Sequence, residues 1–244
     1  MLAAGGAAGM RGHRAVVTGA ARGIGAHIAR ELAAAGAEVT VLDVNDPAGT
    51  VATIRAEGGA ATGRTVDVTD SAAVRAALSD LDSLDALVTS AAVYGDTVAL
   101  DDLNESEVDH VLGVNVKGTL WTVKAALPLL RQRGGRVVCL GSVAGKVGGV
   151  LAGPHYVASK GAVHAVVKWL AKTEAANGIT ANGVAPGVVD TEMVAGRGYQ
   201  PDYCPLGRLA RPEEIARVAA FLASPAASYM TGAVVDVNGG YAMG

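Results

Sequence analysis

Short runs of β-branched and aliphatic residues recur along the chain, and each gives way to a stretch whose apolar positions fall three or four apart. "RAVVTG" from residue 14 precedes a helical pattern over 23–35, "AEVTVLD" one over 47–57, and "ATGRTVDV" one over 70–80. "LDALVTS" leads into a long helical region ending near 130, "GRVVCLGS" precedes a helix over 154–177, and "GITANGVAP" one over 212–223, before a last strand in "GAVVDVNGG". Strands spaced by helices pair in parallel, and right-handed crossovers put those helices on both faces. The expected fold is therefore α/β, a doubly wound sheet of seven parallel strands. One stretch breaks the alternation: "TEMVAGRGYQPDYCPLGRLA", 191–210, is rich in Gly, Pro and polar residues and reads as a substrate loop.

Composition narrows this picture. Hydrophobic residues make up 50% of the 244 but aromatics only 4%, so the core must be built from Ala, Val, Leu and Ile, which suits helices packed closely on a parallel sheet. The length fits one domain, taken as 12–244 after a flexible leader at 1–11. Mean hydropathy is positive, yet the long uncharged stretch from Val218 to Val235 is interrupted by Ser224, Pro225, Ser228 and Thr231, a poor spanning helix. No basic region precedes an apolar core at the N-terminus, so a cytoplasmic location is expected. Twenty Lys plus Arg against 23 Asp plus Glu leave no basic footprint for nucleic acid or a membrane surface, and a small molecule or a second copy of the chain is the expected partner. Cys139 and Cys204 lack metal-ligand spacing, and the five histidines carry no paired ligand motif, so no metal site is expected.

Candidate chemistry begins at "TGAARGIG", 18–25, which follows a strand and opens a helix. Gly19, Gly23 and Gly25 serve a tight turn under either of two readings. In one the turn is structural; in the other it lets a pyrophosphate approach the helix N-terminus. Asp43, ending the second strand, favours the second reading. A carboxylate there accepts from adenosine ribose hydroxyls and repels the extra phosphate of NADP, which points to NAD. Arg22 is the counter-signal, since a guanidinium in the turn can pair with a 2′-phosphate. Asp67, near the end of the third strand, either accepts from the adenine amino group or caps a turn.

"HYVASKGAV", 155–163, sets Tyr156 and Lys160 on one helix face among small residues. Alone, so common a spacing is better explained by two surface side chains reaching water. Taken with the glycine turn, Asp43, "NVKG" from Asn115, Ser142 and "NGVAPGVVDT" from Asn182, the chain from about residue 12 resembles the short-chain dehydrogenase/reductase family, with likeness to 3-oxoacyl carrier-protein reductases and NAD-dependent sugar or secondary-alcohol dehydrogenases. The resemblance implies a Rossmann-type sheet of order 3-2-1-4-5-6-7 and a homotetramer. It implies Tyr156 as general acid/base, Lys160 as the cation that favours phenolate and binds the nicotinamide ribose, Ser142 as donor to the substrate oxygen, and Asn115 as holder of a relay water. A phenol with an ordinary pKa of about 10 needs such help near neutrality. The cofactor set it implies adds Ile24, Val68, Ser90, Ala91, Ala92, Pro186, Gly187, Val189 and Thr191 to the residues already named.

Two departures stand out. After the fourth strand the family usually shows N-N-A-G, whereas this chain has "TSAAVY", with Ser90 in place of the bracing asparagine and Ala92 in place of the glycine. The interval from Ser142 to Tyr156 is one residue longer than in many relatives. His155, next to the proposed base, is either a substrate contact or an incidental helix-start residue. The expected activity is hydride transfer between NAD(H) and a secondary alcohol/ketone pair such as a sugar, polyol or small hydroxy-ketone. The alternatives are an NADPH-linked 3-oxoacyl thioester reductase and, from another class, a non-catalytic dinucleotide-binding regulator.

Overall fold

The computed structural model describes residues 9–149 and 151–243. Seven parallel strands form one sheet in the order β3-β2-β1-β4-β5-β6-β7: β1 (Arg14–Thr18), β2 (Glu38–Asp43), β3 (Ala60–Thr65), β4 (Ala86–Thr89), β5 (Arg136–Leu140), β6 (Thr180–Pro186) and β7 (Val234–Val237). The helices are α1 (Gly23–Ala34), α2 (Ala48–Ala56), α3 (Ser71–Ala77), α4 (Glu105–Leu112), α5 (Thr119–Leu130), α6 (Ala144–Val147), α7 (Pro154–Thr173) and α8 (Pro212–Leu222).

Strand alternation divides the core in two. Val17, Val39, Val41 and Val138 pack with Ile28 and Leu32 of α1 and with Ile215 and Leu222 of α8 on one face. Val16, Leu42, Leu87 and Val137 pack with Val74 of α3, Val123 and Leu130 of α5, and Val163, Val167 and Leu170 of α7 on the other. Small side chains in these layers let the helices lie close to the sheet. Because the order reverses beside β1, with β2 on one side and β4 on the other, a crevice opens at the carboxyl ends of β1 and β4.

Caps set several boundaries. Asp70 accepts from the backbone of Ala72 and Ala73 to start α3, Asn104 accepts from Glu107 to start α4, and Glu214 reaches back to the Arg211 amide at the start of α8.

Four expectations shift. The third strand ends at Thr65 rather than running on to 68, so Asp67 lies in the turn beyond it. The long helical region is broken by a π-helical turn, Gly113–Gly118, between α4 and α5. The helix predicted over 154–177 stops at Thr173 and gives way to a 3₁₀ turn, Ala175–Asn177. Met10, counted in the expected leader 1–11, is fully buried and its amide donates to Ala35 O, which puts it in the packed domain; positions 1–8 of that leader lie outside the described residues. The loop 191–210 is irregular as predicted, apart from a 3₁₀ turn at Pro201–Tyr203. It leaves and rejoins the sheet at one place, since Ala210 N donates to Val188 O and Asp190 N donates to Ala210 O.

Candidate active site

A cavity of about 860 Å³ occupies the crevice. Gly19, Arg22, Gly23, Ile24 and Gly25 line it from the first turn, with Asp43 from β2 and Asp67 and Val68 beyond β3. Ser90, Ala91 and Ala92 line it beyond β4, and Ser142, Tyr156 and Lys160 from β5 and α7. Pro186, Gly187, Val189 and Thr191 come from the end of β6. Every predicted site residue except Asn115 thus faces one space.

The first turn fits a pyrophosphate. Gly19 has φ +64°, and a Cβ on Gly25 would stand 2.1 Å from Gly19 O, so this backbone closes only with glycine. Gly23 has open space around it, and Arg22, the residue capping α1, offers no side-chain acceptor to the first-turn N–H groups. Those donors point outward for an anion. Asp43 is buried; its Oδ2 accepts from Ala21 N at 2.9 Å and its Oδ1 from Asn45 N at 2.9 Å, which locks the carboxylate at the cavity wall. Arg22, the counter-signal for a 2′-phosphate, is paired with Glu192 across the cleft. Asp67 is exposed and accepts from Thr69 N and Oγ1, so it caps a turn and faces the cavity at once.

At the other end the Tyr156 ring stacks on Tyr94 with centroids 4.5 Å apart. Lys160 Nζ lies 5.6 Å from the Tyr156 ring centre and donates to Leu140 O at 2.9 Å. Burial pushes the Tyr156 phenol up to about 12, with the Ser142 hydroxyl pulling the other way. Burial also pulls the Lys160 ammonium down to about 8. Burial thus moves the two neighbours apart in proton affinity, the phenol holding its proton more tightly and the ammonium releasing its own more easily.

Ser142 is held by its surroundings. Its Oγ accepts from Ala144 N at 3.1 Å, and its backbone N–H donates to His164 Nε2 at 3.4 Å. Burial, then Lys146, Lys160 and Lys168, lower His164 to about 4, so the ring is neutral and free to accept. Asn115 stands behind the cavity wall. Its Nδ2 donates to Val93 O and to Ser159 Oγ, both at 2.9 Å, and its Oδ1 accepts from Val93 N at 2.8 Å. Its side chain therefore clamps the segment after β4 to α7. At Ser90, where the family usually has asparagine, the Thr18 hydroxyl accepts from both Ser90 N and Ala91 N at 3.2 Å and ties this segment to β1. His155 is more enclosed than a helix-start residue need be: it is 3% exposed, 3.6 Å from Glu107, and neither ring nitrogen has a hydrogen-bond partner.

Two residues escaped the sequence reading. Tyr94 ends the "TSAAVY" segment, and an aromatic beyond a central strand in so aromatic-poor a chain was a usable signal. His164 follows Lys160 by four, on the same helix face, which its spacing also announced.

A family profile described as enoyl-(acyl carrier protein) reductase matches residues 19–242. A cis-4-hydroxycyclohexanecarboxylate dehydrogenase of Sinomonas cyclohexanicum is 41% identical over 238 residues, covering 93% of this chain and 95% of its own. A galactitol 2-dehydrogenase (L-tagatose-forming) of Cereibacter sphaeroides is 40% identical over 242 residues, covering 93% and 94%. Among solved structures, a 3-oxoacyl-[acyl-carrier protein] reductase from Brucella melitensis with bound NAD superposes with a TM-score of 0.89 at 33% identity, covering 96% of this chain and 92% of that one. With likeness spread over more than nine-tenths of its length and the same sheet beneath it, the chain belongs to the short-chain dehydrogenase/reductase family, NAD(P)-binding oxidoreductases that act on CH–OH groups.

Proposed function

We propose that this oxidoreductase moves hydride between NAD(H) and a secondary alcohol/ketone pair, with Tyr156 as the general acid/base. The observation that carries this reading is the convergence of Tyr156, Lys160 and Ser142 on the cavity whose far end holds Asp43 and the glycine turn. The nicotinamide, when bound, supplies the hydride acceptor or donor at the reacting carbon. Ser142 Oγ, beside Tyr156, donates to the substrate oxygen and holds it within reach of the phenol. In the reducing direction Tyr156, protonated near neutrality, gives its proton to that oxygen. In the oxidising direction it must first lose the proton, and the Lys160 charge lowers the cost of the phenolate. Lys160 keeps two N–H donors beyond its bond to Leu140, enough to take ribose hydroxyls. Asn115 serves by holding the wall, its side chain clamping Val93 to Ser159 of α7.

NAD is favoured over NADP because the Asp43 carboxylate stands where a 2′-phosphate would need a cation, and Arg22 is engaged by Glu192. The substrate class follows the relatives: one acts on a hydroxycyclohexanecarboxylate and another on galactitol, both secondary alcohols. The 3-oxoacyl thioester reductase reading retains support from the Brucella melitensis structure. The non-catalytic regulator reading loses ground because Tyr156, Lys160 and Ser142 line one cavity with the glycine turn. We assign residues from Met10 onward to one domain with 191–210 as its substrate loop, a cytoplasmic location and a homotetramer. No described helix is long and apolar enough to cross a membrane.

The test is a panel of secondary alcohols with NAD and with NADP, run on the wild type and on Tyr156→Phe. NAD-dependent turnover in the wild type is expected, with a loss of about a hundredfold or more in the variant and unchanged NAD affinity. Substantial turnover by Tyr156→Phe would assign the base elsewhere.

A further inference from the structure

Three cationic side chains of Arg or Lys line the cavity: Arg22, Lys160 and Arg197. Arg22 is neutralised by Glu192, and Lys160 lies beside Tyr156. Arg197 stands apart from both. Its Nε donates to Met193 O at 2.8 Å within its own loop, and among the described residues no carboxylate pairs with it. Its Cζ lies 4.5 Å from the centre of the Tyr94 ring, the same ring that stacks on Tyr156. Tyr94 is itself pinned, its hydroxyl hydrogen-bonded to that of Tyr199, two residues beyond Arg197.

We infer that Arg197 is the anion subsite of the substrate pocket, and that the enzyme selects secondary alcohols or ketones carrying a carboxylate. This rests on the reading that the reacting oxygen lies at Tyr156. The buried Tyr94 ring joins the two points: the base stacks against it and the guanidinium lies over it, so a small scaffold held in the cavity between phenol and guanidinium places its oxygen at one end and its anion at the other. The planar fork of a guanidinium meets a carboxylate side by side through two N–H groups. A monoanion matches this end of the cavity better than a phosphate dianion. Among the described residues Arg197 is the one Arg or Lys lining this end without a carboxylate partner besides Lys160, which is engaged by Leu140 O, and Glu107 and Asp96 line the same cavity. Glu107 is already committed, accepting from Asp96 N at 2.8 Å and facing His155. The closed base of the loop, where Ala210 bonds both Val188 and Asp190, returns Arg197 and Tyr199 over the pocket. A neutral polyol would leave the guanidinium without an ionic partner.

The test uses two probes of one shape, benzoate and benzamide, titrated calorimetrically into the protein with and without NADH. The wild type is expected to bind benzoate about tenfold tighter than benzamide, the gain from a charge-assisted bidentate pair. Arg197→Met should bring the ratio to near one, and Arg197→Lys should retain part of it. NADH affinity measured on the same samples reports whether each variant is folded. Equal binding of the two probes by the wild type, no binding of either, or a preference that survives Arg197→Met in folded protein would overturn the subsite. Alcohol turnover is read separately. A benzoate preference that depends on Arg197, in a protein that oxidises no secondary alcohol with NAD, would sink the hydride-transfer reading and leave the anion subsite standing.

Discussion

Lys160 is a charged group in a poor solvent for charge. It is 4% exposed, and burial brings its ammonium from 10.5 down to about 8. A base whose folded pKa is depressed binds fewer protons folded than unfolded. Its charge therefore opposes folding fully below pH 8, and that opposition fades as pH rises to about 10.5. Lys160→Met removes this charge but also strips Leu140 O of its donor, a loss of about 1–3 kcal/mol that does not depend on pH. The Tm difference, variant minus wild type, should accordingly fall between pH 8 and pH 10.5 as the wild type regains stability. A flat difference across that window in thermal melts would show that Lys160 carries no buried charge. At this scale Tyr156, Lys160 and Ser142 were legible because their relation is a spacing within one helix or a place at one strand end. The meeting of Tyr94 with Arg197 was not, because it is a contact between segments 103 residues apart.

At the scale of elements, the first βα turn shows how narrow the tolerance is. Gly25 packs against the carbonyl of Gly19, and a methyl group there would meet rigid backbone at 2.1 Å. Overpacking of this kind costs about 1–3 kcal/mol. For a domain of this size each kcal/mol shifts Tm by about 2–4 °C. Gly25→Ala should lower Tm by several degrees and weaken NAD binding at least tenfold by calorimetry, since relieving the clash moves the first-turn donors. Retained NAD affinity would deny the turn its role in holding the cofactor. The strand-and-helix alternation was readable from apolar periodicity, but the π-helical turn at Gly113–Gly118 was not. "GVNVKG" carries no local signal for an extra residue per turn; the nearest visible cause is Asn115, whose side chain is drawn to Val93 and Ser159 across the fold.

The whole molecule presents large apolar side chains on the helices expected to meet in a tetramer. Trp169 on α7 is 60% exposed and Leu120 on α5 is 39% exposed. Such residues on two neighbouring helices suit a self-complementary interface. Sedimentation of the wild type should give a species four times the chain mass, and Trp169→Glu should shift it to dimers or monomers. A monomeric wild type would remove the oligomer from the account.

The parallel sheet is a consequence of pattern and chirality, while its order 3-2-1-4-5-6-7 is what the family resemblance implies. Seven apolar runs separated by helices have few ways to pair in parallel with right-handed crossovers, and a glycine turn followed by an acid 18 residues after Gly25 is the pattern of a dinucleotide site. Those features are local or periodic, so a linear string carries them. Which side chains complete the pocket is settled by long-range packing instead. Closure of the 191–210 loop at Ala210 brings Arg197 and Tyr199 onto Tyr94, a burial that turns His164 into a neutral acceptor fixes Ser142, and the Thr18 hydroxyl holds the segment after β4. Each depends on what surrounds a residue in space, and solvent exclusion and contact geometry exist only once the chain has folded.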